Sequence, residues 1–415
     1  MLCIVAILPS GCGRTPPDSS RHRFETTLEA GVPTAVTTGG PLYEGSLFAF
    51  DPILTLRQDP SVEGSALYNP SGVTIGPRGN YFVLDSGNAR VAVFDADGEY
   101  ARSFGGEGQG PGEFSDRATF LSLRGDVLSI FDLQNQRTSL FRTDGMLIDV
   151  VSNTGSPVMN LELSPEGGVI KFSAGVDLED DLGIQSRRVR LFSADERDAF
   201  VEISTGKVKF QIFEVTEIPG GQMMARSMPV PFAGHPSAIH APDRGFLLTD
   251  GDKPELGWYD YDGVLAEAVR IDLPQPLVTE EMKRQYDEER SRGSIEAAER
   301  DGREPPQLSE LEFPEKVGCW QSVVVDDYGY VWLEAVAVTY EHPEGVGWTF
   351  LVLAPDGRYL GQAELPVRSL FIRDGKLMGF VADPDTGETE VRVFGIRPLA
   401  EGFAYPGDQM TAGRF

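Results

Sequence analysis

From residue 72 to residue 380, short apolar stretches rich in Val, Ile, Leu and Phe recur in pairs, each pair separated by a turn carrying Gly, Asp, Asn or Arg. Strong alternation over so few residues places successive side chains on opposite faces of an extended chain, so each pair reads as a β-hairpin. Six such hairpins are predicted: 72–75 with 81–85, 119–123 with 127–132, 160–163 with 169–172, 238–240 with 246–250, 322–325 with 330–333, and 369–372 with 376–380. Their turn residues are those that tolerate positive φ. Each of the first five is followed by a second hairpin, with turns at 94–98, 141–145, 192–196, 259–263 and 353–357, and four of these five turns carry Asp-Gly.

Two consecutive hairpins make a four-stranded sheet that cannot cover both of its apolar faces. Stacking such sheets around an axis lets each cover the next. The pattern therefore predicts an all-β fold, a six-bladed β-propeller of four-stranded antiparallel blades over 41–400, with a helical insertion between blades 4 and 5, counted from the first hairpin. A β-sandwich would also use many short strands. It gives no reason for Asp85, Asn88 and Arg90 to recur as Asp132, Asn135 and Arg137 in the same 47-residue register as Gly98 and Gly145. The sixth hairpin is followed by only one more strand, 390–396, and residues 46–57 are predicted to complete its blade. The helical insertion is 277–314, where Thr279 followed by Glu280 and Glu281 reads as an N-cap with acidic first-turn residues. A second insertion, 208–228, adds strand-like residues, and 401–415 reads as a tail.

The segment 69–114 resembles the NHL repeat, in Asn69-Pro70-Ser71-Gly72-Val73, Asp85-Ser86-Gly87-Asn88-Ala89-Arg90 and the Gly-rich run 105–112. The match is specific over one blade, clear over the second, and no more than hairpins beyond. It is similar to the bacterial lipoprotein branch of six-bladed NHL-like propellers. That resemblance implies blade-locking roles for Asp85, Asn88, Arg90, Asp132, Asn135 and Arg137.

The first twelve residues change the picture of location. An apolar run, 2–8, leads to Pro9-Ser10-Gly11-Cys12, which resembles the lipobox of bacterial lipoproteins with Cys12 as the acylated residue. Residues 1–12 then form a signal segment, and 13–40, with their Pro, Thr, Ser and Gly content, a flexible tether. The expected address is the cell envelope, through a lipid anchor in the outer membrane of a Gram-negative bacterium.

A formal charge of −28 argues against nucleic-acid partners. Three cysteines, Cys3, Cys12 and Cys319, supply no disulfide framework, and the four histidines, His22, His235, His240 and His342, show no metal-ligand spacing. No phosphate loop or dinucleotide fingerprint occurs. On the propeller face where each inner strand begins, Asn69, Arg117, Asn160, His235, Trp320, Gln321 and Arg368 approach the axis as ligand-binding candidates. Two functions fit: a non-enzymatic binding or scaffold module for a protein or small ligand, and a Ca²⁺-dependent lactonase-like hydrolase using Asn69, Asn160, Asp326 and Glu334. No catalytic residue and no cofactor is predicted for the first; the second needs Ca²⁺.

Overall fold

The computed structural model describes residues 22–56, 58, 61–153, 158–179, 182–192, 199–205, 208–218, 222–300, 302, 304, 308, 310–338, 347–367, 371–382 and 389–406. Cys12, His342 and Arg368 lie outside them. In chain order, β1 (Arg23–Glu29), β2 (Val32–Thr38) and β3 (Phe48–Thr55) precede the first complete sheet, formed by β4 (Pro70–Ile75), β5 (Tyr81–Asp85), β6 (Arg90–Phe94) and β7 (Tyr100–Gly105). The next holds β8 (Ala118–Arg124), β9 (Val127–Asp132), β10 (Arg137–Arg142) and β11 (Leu147–Ser152). A larger one holds β12 (Asn160–Leu163), β13 (Val169–Glu179), β14 (Leu182–Phe192), β15 (Ala199–Ser204), β16 (Val208–Ile218) and β17 (Gln222–Pro229). Then come β18 (Ser237–Ala241), β19 (Gly245–Thr249), β20 (Glu255–Tyr259) and β21 (Leu265–Ile271), the helix α1 (Glu280–Arg300), and β22 (Trp320–Val325), β23 (Val331–Ala335), β24 (Trp348–Leu353) and β25 (Tyr359–Leu365). The chain closes with β26 (Phe371–Arg373), β27 (Lys376–Ala382) and β28 (Thr389–Pro398).

These strands form six sheets, a six-bladed β-propeller. The last sheet runs β26-β27-β28-β3, so the segment before the first repeat does complete the final blade, with Phe48 opposite Pro398 and Thr55 opposite Arg392. We number the blades around the ring from this closing sheet: β4–β7 form blade 2, β8–β11 blade 3, β12–β17 blade 4, β18–β21 blade 5 and β22–β25 blade 6. In this count α1 lies between blades 5 and 6 rather than 4 and 5, because counting hairpins from residue 72 leaves the closing blade until last. Thr279 caps the helix as expected: its Oγ1 accepts from the Met282 N–H at 3.2 Å.

The apolar core sits between the blades, one cluster at each of the six seams. Strand β5 shows why. Phe82 and Leu84 pack into the seam with blade 3, and Tyr81 and Val83 into the seam with blade 1, so a two-residue period with both phases apolar is what a strand covered on two sides requires. At the closing seam Leu47 and Phe48 of blade 1 meet Trp332, Phe350 and Val352 of blade 6, with Phe48 and Trp332 stacked at 5.1 Å.

Three segments depart from the sequence reading. Residues 22–40, expected as part of a tether, are structured: β1 and β2 form a hairpin, and β2 adds in parallel to β21. Beyond it the chain continues as a belt, with the N–H groups of Leu42, Tyr43 and Leu47 donating to the carbonyls of Tyr359, Leu360 and Gln362 in blade 6. A strand added to an open sheet edge gains its backbone bonds from that edge, so Thr34, Ala35 and Thr37 suffice as buried contacts. The residues 401–415, read as a tail, begin by packing: Tyr405 lies in the closing seam against Trp332 and Phe48. In blade 4, β13 and β14 pair over eleven residues each, and β16 continues the sheet from β14 at Leu182–Gln185. This is the 208–228 insertion, an arm built from β16 and β17 rather than a separate unit.

Candidate functional site

The inner strands β4, β8, β12, β18, β22 and β26 all begin at one end of the ring, here the loop face, and their hairpin turns lie at the other. The insertion carrying α1 connects an outer strand to the next inner strand and so emerges on the loop face, as does the hairpin of β13 and β14, which runs past Asn160 at the start of β12.

The motif residues join loop to blade. Asp85 accepts from the Tyr68 N–H at 2.7 Å, from Asn88 Nδ2 at 2.8 Å and from Arg90 Nε at 2.8 Å, while Arg90 Nη2 reaches the Ala66 carbonyl. One blade on, Asp132 accepts the N–H and hydroxyl of Ser115 at 2.6 Å each, and the N–H groups of Gln134 and Asn135. Arg137 donates to the carbonyls of Gln109, Gly110 and Glu113. Each carboxylate thus fixes the crossing segment from the previous blade. Asp132 is held below the ordinary aspartate value: burial opposes this, and the donors from Ser115 and Asn135 outweigh it. In blade 5, where the Asn and Arg of the motif are missing, Asp252 Oδ1 still accepts the crossing Gly234 N–H at 2.6 Å and Asp250 Oδ1 the N–H groups of Asp252 and Lys253, and three glycines bring the backbones close. Cβ atoms on Gly234 or Gly318 would fall 2.1 Å from neighbouring backbone, and on Gly251 2.5 Å from the His235 backbone.

Of the predicted loop-face residues, Asn69 and Arg117 are exposed, Asn69 in the left-handed region at φ 47°. The others are committed to neighbours. Asn160 Nδ2 donates to Glu162 Oε1 at 2.8 Å and Gln321 Nε2 to Glu334 Oε1 at 2.8 Å. Trp320 is fully buried in the seam between blades 5 and 6, its Nε1 donating to Thr249 Oγ1 at 3.1 Å. The His235 N–H donates to the Trp320 carbonyl at 3.0 Å, joining the same two blades. Cys319 is buried beside them, and burial, with Asp252 and Asp250 adding, pushes its thiol up to about 12, which removes it as a nucleophile at neutral pH.

The four residue types named for a Ca²⁺ site do not converge. Asn69, Asn160 and Glu334 belong to the loop face, whereas Asp326 occupies the β22–β23 turn at the opposite end. There its Oδ1 accepts from the Tyr328 and Tyr330 N–H groups, and its Oδ2 from Trp332 Nε1 at 3.0 Å and the Tyr405 hydroxyl at 2.7 Å. Burial outweighs these four donors and raises the Asp326 carboxyl to about 6. Among the described residues no group of three or more His, Cys, Asp and Glu could hold a metal ion.

Two arrangements escaped the sequence reading. At the turn end, His240 Nδ1 lies 2.8 Å from Glu162 Oε2 and its Nε2 2.8 Å from the Tyr261 hydroxyl, which donates to the Pro242 carbonyl. This chain ties blade 4 to blade 5, and burial raises the Tyr261 phenol to about 12. On the loop face, Arg187 of β14 donates through Nε to the Pro236 carbonyl at 3.3 Å and through Nη1 to the Met159 sulfur at 2.7 Å. Its apolar neighbours on the same strand face, Val189 and Leu191, lie in the seam between blades 4 and 5, so Arg187 closes the top of that seam.

A family described as "6-bladed beta-propeller" matches residues 68–145, the span in which the repeat motif is complete. No curated relative matches the chain. Among solved structures, the chain is similar to a Bacteroides fragilis protein described as exported, with 10% identity over 85% of this chain and 95% of that one at a TM-score of 0.47. It is also similar to a virginiamycin B lyase from Staphylococcus aureus, with 11% identity over 84% of this chain and 99% of that one at a TM-score of 0.36. Likenesses this remote assign no activity to the present chain.

Proposed function

We propose that the chain is a cell-envelope lipoprotein, anchored through Cys12 to the outer membrane of a Gram-negative bacterium, whose propeller binds a ligand or protein at its loop face without transforming it. The observation that carries this reading is the commitment of the loop-face polar groups to the scaffold. Asn160 spends a donor on Glu162 of its own strand, Gln321 on Glu334 of the neighbouring strand and Trp320 on Thr249 of the neighbouring blade. Among the carboxylates that burial holds above the ordinary aspartate value, Asp326 sits at the far end and is saturated by four donors, and Asp252, on the loop face, spends its Oδ1 on the Gly234 N–H that crosses from the previous blade. A hydrolase would need such groups assembled around one substrate atom. Recognition needs only a shaped mouth with a few exposed polar side chains, which Asn69 and Arg117 supply.

The reading is tested by measuring turnover of a panel of aliphatic and aromatic lactones, with the melting temperature taken in Ca²⁺ and in chelator. No turnover and melting temperatures equal within a degree or so are expected; turnover that chelator abolishes would replace binding by catalysis. For the anchor, Cys12→Ala should move the protein from the membrane to the soluble fraction. Retention of that variant in the membrane would rule out attachment through this thiol.

A further inference from the structure

The guanidinium of Arg187 stands where packing alone asks for an apolar side chain. Along β14 the row facing blade 5 runs Leu191, Val189, Arg187, and the first two are fully buried. Arg187 has two acceptors, a backbone carbonyl and a thioether, and the thioether is a weak one. No carboxylate among the side chains that the structure describes pairs with it, although the chain carries 64 Asp and Glu against 36 Lys and Arg. Burial pulls its basicity below the ordinary arginine value. Its outer nitrogen, Nη2, meets no acceptor among the described residues and is not buried. The two groups it does touch place it. Pro236 immediately precedes β18 and Met159 immediately precedes β12, so the guanidinium bridges the starts of two adjacent inner strands. Met159 is itself nearly half exposed there.

We propose that Arg187 is the anchor of a carboxylate-binding site on the loop face, taking one carboxylate on its outward Nη2 edge between the starts of β12 and β18. This rests on the binding reading above and gives its ligand a chemical class. A planar guanidinium fork matches a carboxylate in two parallel hydrogen bonds, and a partly desolvated one gains more from a counter-anion than an exposed one. One cation beside a thioether and a proline suits a monoanionic carboxylate attached to an apolar body. A dianionic phosphate would call for further cations. The surrounding negative field repels every anion, a dianion more than a monoanion, so only an anion that gains both fork bonds at the cost of a single charge is held.

The test uses the full chain at low ionic strength, with phenylacetate as the carboxylate probe and with inorganic phosphate and chloride as controls, read by calorimetric titration and by the shift in melting temperature. Phenylacetate should bind at least tenfold more tightly than either control. Arg187→Met should lose that binding at least tenfold, and Arg187→Lys should lose most of it because an ammonium lacks the fork. In anion-free buffer Arg187→Met should melt no lower than the parent, since a thioether can fill the top of an apolar seam. Unchanged phenylacetate binding in Arg187→Met overturns the proposal. So does tighter binding of phosphate than of phenylacetate, or a fall of several degrees in the anion-free melting temperature, which would make Arg187 a structural tie. These outcomes are separate from lactone turnover: a hydrolase whose phenylacetate affinity depends on Arg187 would sink the non-catalytic reading and leave this site intact.

Discussion

Asp326 shows how one residue can carry a pH dependence for the whole ring. Its folded-state value is about 6 against 3.8 for an ordinary aspartate, so between those two values the folded protein binds the proton that the unfolded chain has released. A group raised in this way adds stability below about pH 4 that disappears as pH climbs past 6, with a span of about 3 kcal/mol. Denaturant titrations at pH 4.5 and pH 7 should show that loss in the parent and a flatter profile in Asp326→Asn; equal slopes would remove Asp326 as the source. Gly251 is the steric counterpart. Its φ is +81° and its missing Cβ would meet the His235 and Trp320 backbones, so Gly251→Ala should cost about 3 kcal/mol in urea unfolding, and a cost below about 1 would mean that the backbones can separate. Sequence pattern exposes the role of neither Asp326 nor Arg187. Asp326 looks like any turn aspartate until Tyr405 arrives from the far end of the chain, and Arg187 interrupts an alternating row in a way that also describes an ordinary exposed strand position.

At the level of strands and helices, legibility followed repetition. The hairpins of blades 2 and 3 were readable because alternation, Asp-Gly turns and the Asp, Asn and Arg motif agree on one register, and β3 was readable because the last hairpin lacked a partner. β1 and β2 were not: Thr, Pro and Gly make their composition resemble a linker, and what fixes them is the free edge of β21, which no local pattern reveals. The two N-terminal additions should therefore respond differently to removal. Deleting residues 22–38 leaves blade 5 with its own four strands, and the protein should stay monomeric by size-exclusion chromatography with a modestly lower melting temperature. Deleting residues 48–55 strips β28 of its partner and takes Phe48 from Trp332, and should give aggregates. Aggregation of the first variant, or a monomeric second one, would contradict this division.

Over the whole molecule the apolar interior is divided into six seams, none belonging to a single blade. Damage in one seam should spread around the ring, because a blade that loses a neighbour exposes the face that neighbour covered. Phe48→Ala, in the closing seam, should lower stability by about 3 to 5 kcal/mol while keeping a single unfolding transition by both tryptophan fluorescence and far-ultraviolet circular dichroism. Separate transitions by the two probes would show blades unfolding independently.

The closing seam also sets a timetable for making the protein. Phe48 leaves the ribosome long before the strand it must pair with, which ends at Pro398, and Tyr405, which pins the ring, follows later still. Five sheets can form in order as they emerge, each with one apolar face waiting for the next. The first strand of the circle stays without its mate throughout. Nascent chains of this kind fold slowly because the decisive contact is the most distant one in sequence, and they depend on whatever holds sticky surfaces apart until translation ends.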